Sequence, residues 1–207
     1  MRTTRRLRRV DADYRGPSGG REDHMRRFLV ALGMLLLSVP AIAGQLAGVT
    51  LPDSVDVNGT TLMLNGMGLR KKAVFKVYVG ALYVVAKGND AQALITADTP
   101  RRMVMHFVRD VGKDKIVEGW REGFANNSPA NAQALQPKLD EFAALWSDMA
   151  SGDEAVMTYV QGTGLKLEIR GKELGVIQGE QFADAVLACW IGPNPPSEEL
   201  KTGLLGK

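Results

Sequence analysis

Between Ala73 and Val85 the chain runs Ala-Val-Phe-Lys-Val-Tyr-Val-Gly-Ala-Leu-Tyr-Val-Val, a β-branched and aromatic stretch broken only by Lys76. A strand with one wet face shows polar residues at every second position, so this one reads as a central strand covered on both sides. Period-two parity sends Phe75, Val77, Val79, Ala81, Tyr83 and Val85 to one face. Val74, Lys76, Tyr78, Gly80, Leu82 and Val84 take the other, which therefore carries an ammonium, a phenol and a glycine that leaves space beside the phenol. Just upstream, Arg70 follows Gly66 and Gly68, which permit a tight backbone turn. An arginine and a tyrosine beside a glycine gap can form the polar end of a greasy pocket. A surface arginine and a core tyrosine with a satisfied hydroxyl would leave the same letters in the sequence.

Charge is unevenly distributed. Met25-Arg26-Arg27 precedes an apolar stretch from Phe28 to Ala43 that closes on Ala41-Ile42-Ala43. A basic segment, a short apolar segment and a small-x-small site read as an export signal, whereas a membrane span needs ~20 apolar residues. Residues 1–43 are therefore expected to be a leader, with translation starting at Met25 and cleavage after Ala43. The pairs Arg5-Arg6 and Arg26-Arg27 leave a twin-arginine route open. The mature chain is expected to run from Gly44 to Lys207 as one domain, in the periplasm or otherwise exported. The leader holds nine of the 26 basic and four of the 23 acidic residues, so 17 and 19 remain, a formal net charge of −2. Nothing in the mature part suggests a nucleic-acid partner, which would show a clustered basic face, and no later stretch is apolar enough for a membrane span. Lys71-Lys72 and Arg101-Arg102 read as solvated strand ends.

Residues 44–207 suffice for one domain with a real core. Cys189 is the only cysteine, so no internal disulfide can form. His106 is the only histidine beyond the leader, and a zinc site of the usual kind is not expected. A Ser-His-Asp hydrolase would have to use His106, which sits in the strand-like Arg-Met-Val-Met-His-Phe-Val, and the chain contains no Gly-x-Ser-x-Gly elbow. Neither metal nor cofactor is expected.

Extended segments are expected over 45–51 and 60–65, then the long strand, then a short helix over 91–95 capped by Asn89. Arg101 to Val108 alternates as a strand. Ile116, Val117, Trp120 and Phe124 recur at helical spacing. Ser128-Pro129 suits a helix start, and Leu135, Leu139, Phe142, Trp146 and Met149 continue as an amphipathic stripe in which Pro137 marks a kink or a beginning. Strands over 155–160 and 165–170 meet at Gly162-Thr163-Gly164 as a hairpin. Residues 179–190 return to helix, stopped by Gly192-Pro193-Asn194-Pro195-Pro196, and Ser197 caps a last short helix. Strands and helices in separate runs imply an α+β fold, helices packed on an antiparallel sheet.

Two segments resemble the bacterial members of the chalcone isomerase-like family: Leu64 to Tyr83, and Ala185-Val-Leu-Ala-Cys-Trp-Ile-Gly-Pro-Asn-Pro-Pro-Ser-Glu-Glu-Leu-Lys201. The resemblance implies a large antiparallel sheet, a layer of helices on one face and a ligand cleft between them. That family contains isomerases, which cyclise a chalcone to a flavanone, and fatty-acid-binding relatives without that activity. By resemblance, Arg70 is the cleft arginine that meets a ligand carboxylate and Tyr78 its companion in the binders, where plant isomerases carry threonine. Plant isomerases place a catalytic tyrosine and an asparagine on the helix after a Gly-Lys-like turn. Anchoring on Gly112-Lys113 puts Lys115 and Glu122 there, and Cys189 replaces a threonine of the last long helix.

Cyclisation needs groups that stabilise a phenolate and an enolate as charge develops, for which one arginine and one tyrosine are a thin set. A carboxylate needs less: two parallel hydrogen bonds from Arg70, a third from Tyr78, and apolar walls. The expected ligand-binding set is Arg70, Tyr78, Gly80, Lys76 and Cys189, with no catalytic residue. The expected function is an exported, non-catalytic binder of a fatty acid or similar apolar carboxylate. An isomerase or lyase acting on another substrate is the alternative, and a structural envelope protein with a vestigial cleft is a third reading.

Overall fold

The apolar run becomes a ten-residue strand, Phe75–Val84, with a sheet neighbour on each side and side chains buried on both faces. This computed structural model describes residues 43–128 and 130–207; apart from Ala43, the expected leader and its start at Met25 lie outside the described residues. Strands β1 (Ala43–Leu46) and β2 (Val49–Pro52) pair as a separate hairpin. Strands β3 (Ser54–Val57), β4 (Thr60–Lys72), β5 (Phe75–Val84), β6 (Arg101–Phe107), β7 (Glu154–Val160), β8 (Gly164–Ile169) and β9 (Lys172–Ile177) form one antiparallel sheet in chain order. Helix α1 (Ala91–Ile95) links β5 to β6, α2 (Lys113–Asn127) and α3 (Ala132–Ala144) link β6 to β7, and α4 (Glu180–Ile191) and α5 (Glu198–Leu204) follow the sheet. The fold is α+β, as the separate runs of strand and helix predict.

The two faces of β5 serve two cores. Tyr78, Leu82 and Val84 join Met103, Phe107, Met157 and Leu167 under the helices, against Trp120, Phe142, Phe182 and Trp190. On the other face Val79, Ala81 and Tyr83 pack with Leu62, Leu64 and Leu69 against Val49 and Leu51 of the β1–β2 hairpin.

Gly66 and Gly68 do not make a turn. They lie inside β4, where a Cβ on Gly66 would strike the Gly203 carbonyl and one on Gly68 the Leu200 carbonyl. The missing side chains let α5 rest directly on the strand backbone, the close approach for which strands use glycine. Because the opposing atoms are main chain, Gly68→Ala is expected to cost about 1–3 kcal/mol. A thermal melt checks this, with a drop of roughly 2–4 °C expected per kcal/mol.

Asp90, rather than Asn89, caps α1, accepting from the Gln92 and Ala93 amides at 2.9 and 3.1 Å. Helix α3 begins at Ala132, not at Ser128, which instead closes α2 through its amide to the Phe124 carbonyl. Pro137 sits inside α3, and the helix ends at Ala144, so Trp146 and Met149 reach the core from the following segment. Strands β3 and β9 had no clear signal because both are short and mostly half-exposed or exposed.

Candidate functional site

Between the sheet and α2 lies a cavity of about 420 Å³. A displaced register shapes its floor: Tyr78 pairs with Arg70, but the next partner of Lys71 is Lys76, so Val77 is an extra residue in β5. Such a bulge re-aims the side chains beyond it. Val77 therefore packs with the same core as Tyr78, and Phe75 joins it on the cavity wall, against the simple parity that set both opposite the phenol.

Arg70 and Tyr78 are direct partners across β4 and β5, so their side chains leave the same face, and both line the cavity. The Arg70 guanidinium donates one Nη1 hydrogen bond to the Lys71 carbonyl and has no carboxylate partner among the described residues. Its remaining N–H groups are available to a ligand. The Tyr78 hydroxyl accepts a hydrogen bond from Trp190 Nε1 at 3.0 Å, which leaves its own proton to donate elsewhere. Burial pushes the phenol up to about 12, against the hydrogen bond from Trp190 and then the charge of Arg70, which both pull the other way. It is thus a neutral donor across the physiological range and a poor general base.

The deeper walls are apolar. Phe107, Met105, Ile116, Trp120 and Trp190 line the cavity, and Trp120 meets Trp190 edge-on at 5.1 Å. The Trp120 indole nitrogen is buried without a partner among the described residues. Cys189 also lines the cavity, yet burial pushes its thiol far up and the Sγ donates to the Ala185 carbonyl at 3.3 Å. A thiol in that state is not a nucleophile. At the rim stand Lys72, Phe75, Arg109 and Lys115, with Arg109 over the Phe75 ring at 4.6 Å.

Two of the expected residues are not at the cavity. Lys76 is exposed and does not line it, because the bulge at Val77 turns it off the cavity wall. Gly80 leaves no space for a ligand: a Cβ there would lie 2.8 Å from Met103 Cε and 3.3 Å from Leu200, so its gap is filled by the core and α5. His106 belongs to the opposite parity of β6 from Met105 and Phe107 and pairs with Glu154 at 2.9 Å. Lys115 and Glu122 do line the cavity on α2, Lys115 tied to Glu118 at 2.7 Å. Among the described residues no cluster of ligating side chains could hold a metal ion. The aromatic wall was legible only as a helical stripe of core residues, since periodicity does not distinguish a core from a cavity lining.

The sequence matches the chalcone isomerase-like family over residues 43–206, and the chain belongs to that family. No curated protein matches it by sequence. Among solved structures, a fatty-acid binding protein of Arabidopsis thaliana has the same fold, with a TM-score of 0.62 at 17% identity, covering 79% of this chain and 95% of that one.

Proposed function

We propose that the protein is a non-catalytic carrier or sensor of a fatty acid or similar apolar carboxylate, exported from the cytoplasm. The observation that carries this reading is the direct pairing of Arg70 with Tyr78 on a cavity whose deeper walls are aromatic and aliphatic and whose remaining polar lining is mixed in charge. Its volume of about 420 Å³ falls within the range of small-molecule sites, ~300–1,000 Å³. The fatty-acid binding protein that shares the fold supports a binder over an isomerase. Export rests on the basic, apolar and Ala-x-Ala pattern of residues 25–43.

Cyclisation is disfavoured on the same geometry. The α2 positions that the resemblance aligns with the isomerase tyrosine and asparagine carry an ion-paired Lys115 and a carboxylate at Glu122, neither of which donates like that pair to a developing enolate, although Asn126 also lines the cavity from α2. Excess protein is therefore expected to leave the absorbance decay of a chalcone at its spontaneous rate. Turnover abolished by Arg70→Ala would overturn the non-catalytic reading.

Binding should also have a one-sided pH profile. Tyr78 keeps its proton up to about 12, so affinity is expected to stay flat from neutral pH to mildly alkaline pH. It should weaken as the ligand carboxyl, which titrates like a glutamate side chain at about 4.3, becomes protonated. Titrations across this range check the sign: a loss on the alkaline side would show that an ionising protein group, not the ligand, controls binding. Native mass spectrometry of protein purified from its own cells tests the ligand class, a bound carboxylic acid being the expected result.

A further inference from the structure

The turn joining β4 to β5 has the wrong residues for a turn. Lys72 pairs with Phe75, leaving Ala73 and Val74 as the two connecting residues, and Ala73 takes φ +53°. Val74 does not share the positive φ, and two-residue hairpins with φ > 0 at the first central residue alone favour Gly there, followed by a polar residue at the solvated tip. This chain instead presents Val74 at 86% exposure and Phe75 at 55%, the two most exposed large apolar side chains among the described residues. Neither folding propensity nor the core accounts for Val74.

Its surroundings are cationic. Lys71, Lys72 and Lys76 flank the tip, and no Asp or Glu occurs anywhere between Asp56 and Asp90. Lys71 reaches Glu199 at 2.9 Å, while Lys72 and Lys76 have no carboxylate within ion-pair distance among the described residues. Lys76, which the sequence suggested for the ligand, is exposed on the stem of this hairpin. Arg109 stands over Phe75 and adds a further positive charge, against Asp110 and Glu118 at the cavity rim. An apolar point ringed by lysines matches a bilayer surface: short apolar groups enter the interface while the ammonium groups meet anionic headgroups.

We propose that the β4–β5 tip docks on a lipid bilayer bearing anionic headgroups, with Val74 and Phe75 inserted and Lys72 and Lys76 at headgroup level. Phe75 and Lys72 belong to both the tip and the cavity rim, so docking sets the cavity mouth against the bilayer. The functional consequence, exchange of a fatty acid between bilayer and cavity, rests on the carrier reading above. The docking itself does not.

The experiment uses protein purified as its own cells process it. Vesicles of phosphatidylcholine, with and without phosphatidylglycerol, serve as probes. A Val74→Cys variant carrying an environment-sensitive fluorophore reports insertion of the tip itself, because the one native thiol, Cys189, is buried. The label is expected to shift to the blue on anionic vesicles and not on neutral ones. Ala73→Gly with Val74→Ser supplies the residue the backbone at 73 favours, so its melting temperature should hold or rise while vesicle affinity falls about tenfold, the scale of burying a valine. Lys76→Glu should weaken anionic-vesicle binding by about fivefold or more, given ~1 kcal/mol per charge at such a surface. An unshifted label, equal response to neutral vesicles, or a double variant that binds like wild type would overturn the docking. If the tip inserts but no fatty acid binds in solution, docking stands and the carrier reading fails; solution binding without insertion is the reverse.

Discussion

Arg70→Ala is expected to weaken binding of a long-chain fatty acid by about tenfold or more. A charge-assisted hydrogen bond contributes roughly 1.5–3 kcal/mol, and each ~1.4 kcal/mol is a decade of affinity. The guanidinium has no carboxylate within ion-pair distance among the described residues and keeps free donors after its bond to the Lys71 carbonyl, so it can meet the ligand directly. Tyr78→Phe removes one neutral donor and leaves Trp190 Nε1 without its acceptor, so it should cost less affinity and some stability. Titration calorimetry of the two variants checks the order: a Tyr78→Phe loss larger than that of Arg70→Ala would place the anion at the phenol rather than the guanidinium.

The second large effect is on stability. Arg101 reads as half of a solvated strand end, yet its side chain is only 5% exposed. Its guanidinium pairs with Asp184 on α4, donates to the Ala97 carbonyl at 2.6 Å and lies 4.5 Å over the Tyr159 ring. The Tyr159 hydroxyl in turn donates to Asp98 at 2.6 Å. The group thus ties β6 and β7 to α4 and to the loop after α1. Asp184→Ala leaves a buried cation without its carboxylate and should destabilise the protein by about 3 kcal/mol, the lower end expected for breaking a buried pair, since Asp184 itself is 23% exposed. Replacing both partners with apolar residues, Arg101→Met with Asp184→Leu, should restore much of the loss. Urea denaturation measures both; a single variant within about 0.5 kcal/mol of wild type would mean that the ring and the Ala97 carbonyl hold the guanidinium unaided.

How far the sequence could be read depended on whether a feature was local. The two-sided burial of β5, the β7–β8 hairpin, the Ser197 cap and the α4 helix follow from periodicity and turn chemistry, which neighbouring residues determine. The features that local pattern misses are long-range. Parity failed at Val77 because a bulge depends on the facing strand, and nothing in Val-Tyr-Val announces one. Gly66, Gly68 and Gly80 read as a turn and a ligand gap, but α5, more than a hundred residues later, packs against all three, with Met103 of β6 nearest to Gly80. Arg101 reads as solvated because its partner Asp184 lies 83 positions away. For the cavity, Arg70 and Tyr78 stood out as polar residues beside an apolar strand, whereas Trp120 and Trp190 carried the same pattern as any core residue.

The carboxylate clamp itself is tested most directly from the ligand side, by titrating the unmodified protein with a long-chain fatty acid and with its methyl ester. The ester keeps the apolar chain and its contacts with the aromatic wall but loses the charge that Arg70 would meet. The acid is expected to bind at least about tenfold more tightly than the ester, with the difference vanishing in Arg70→Ala. Equal binding of acid and ester to the wild-type protein would contradict the clamp.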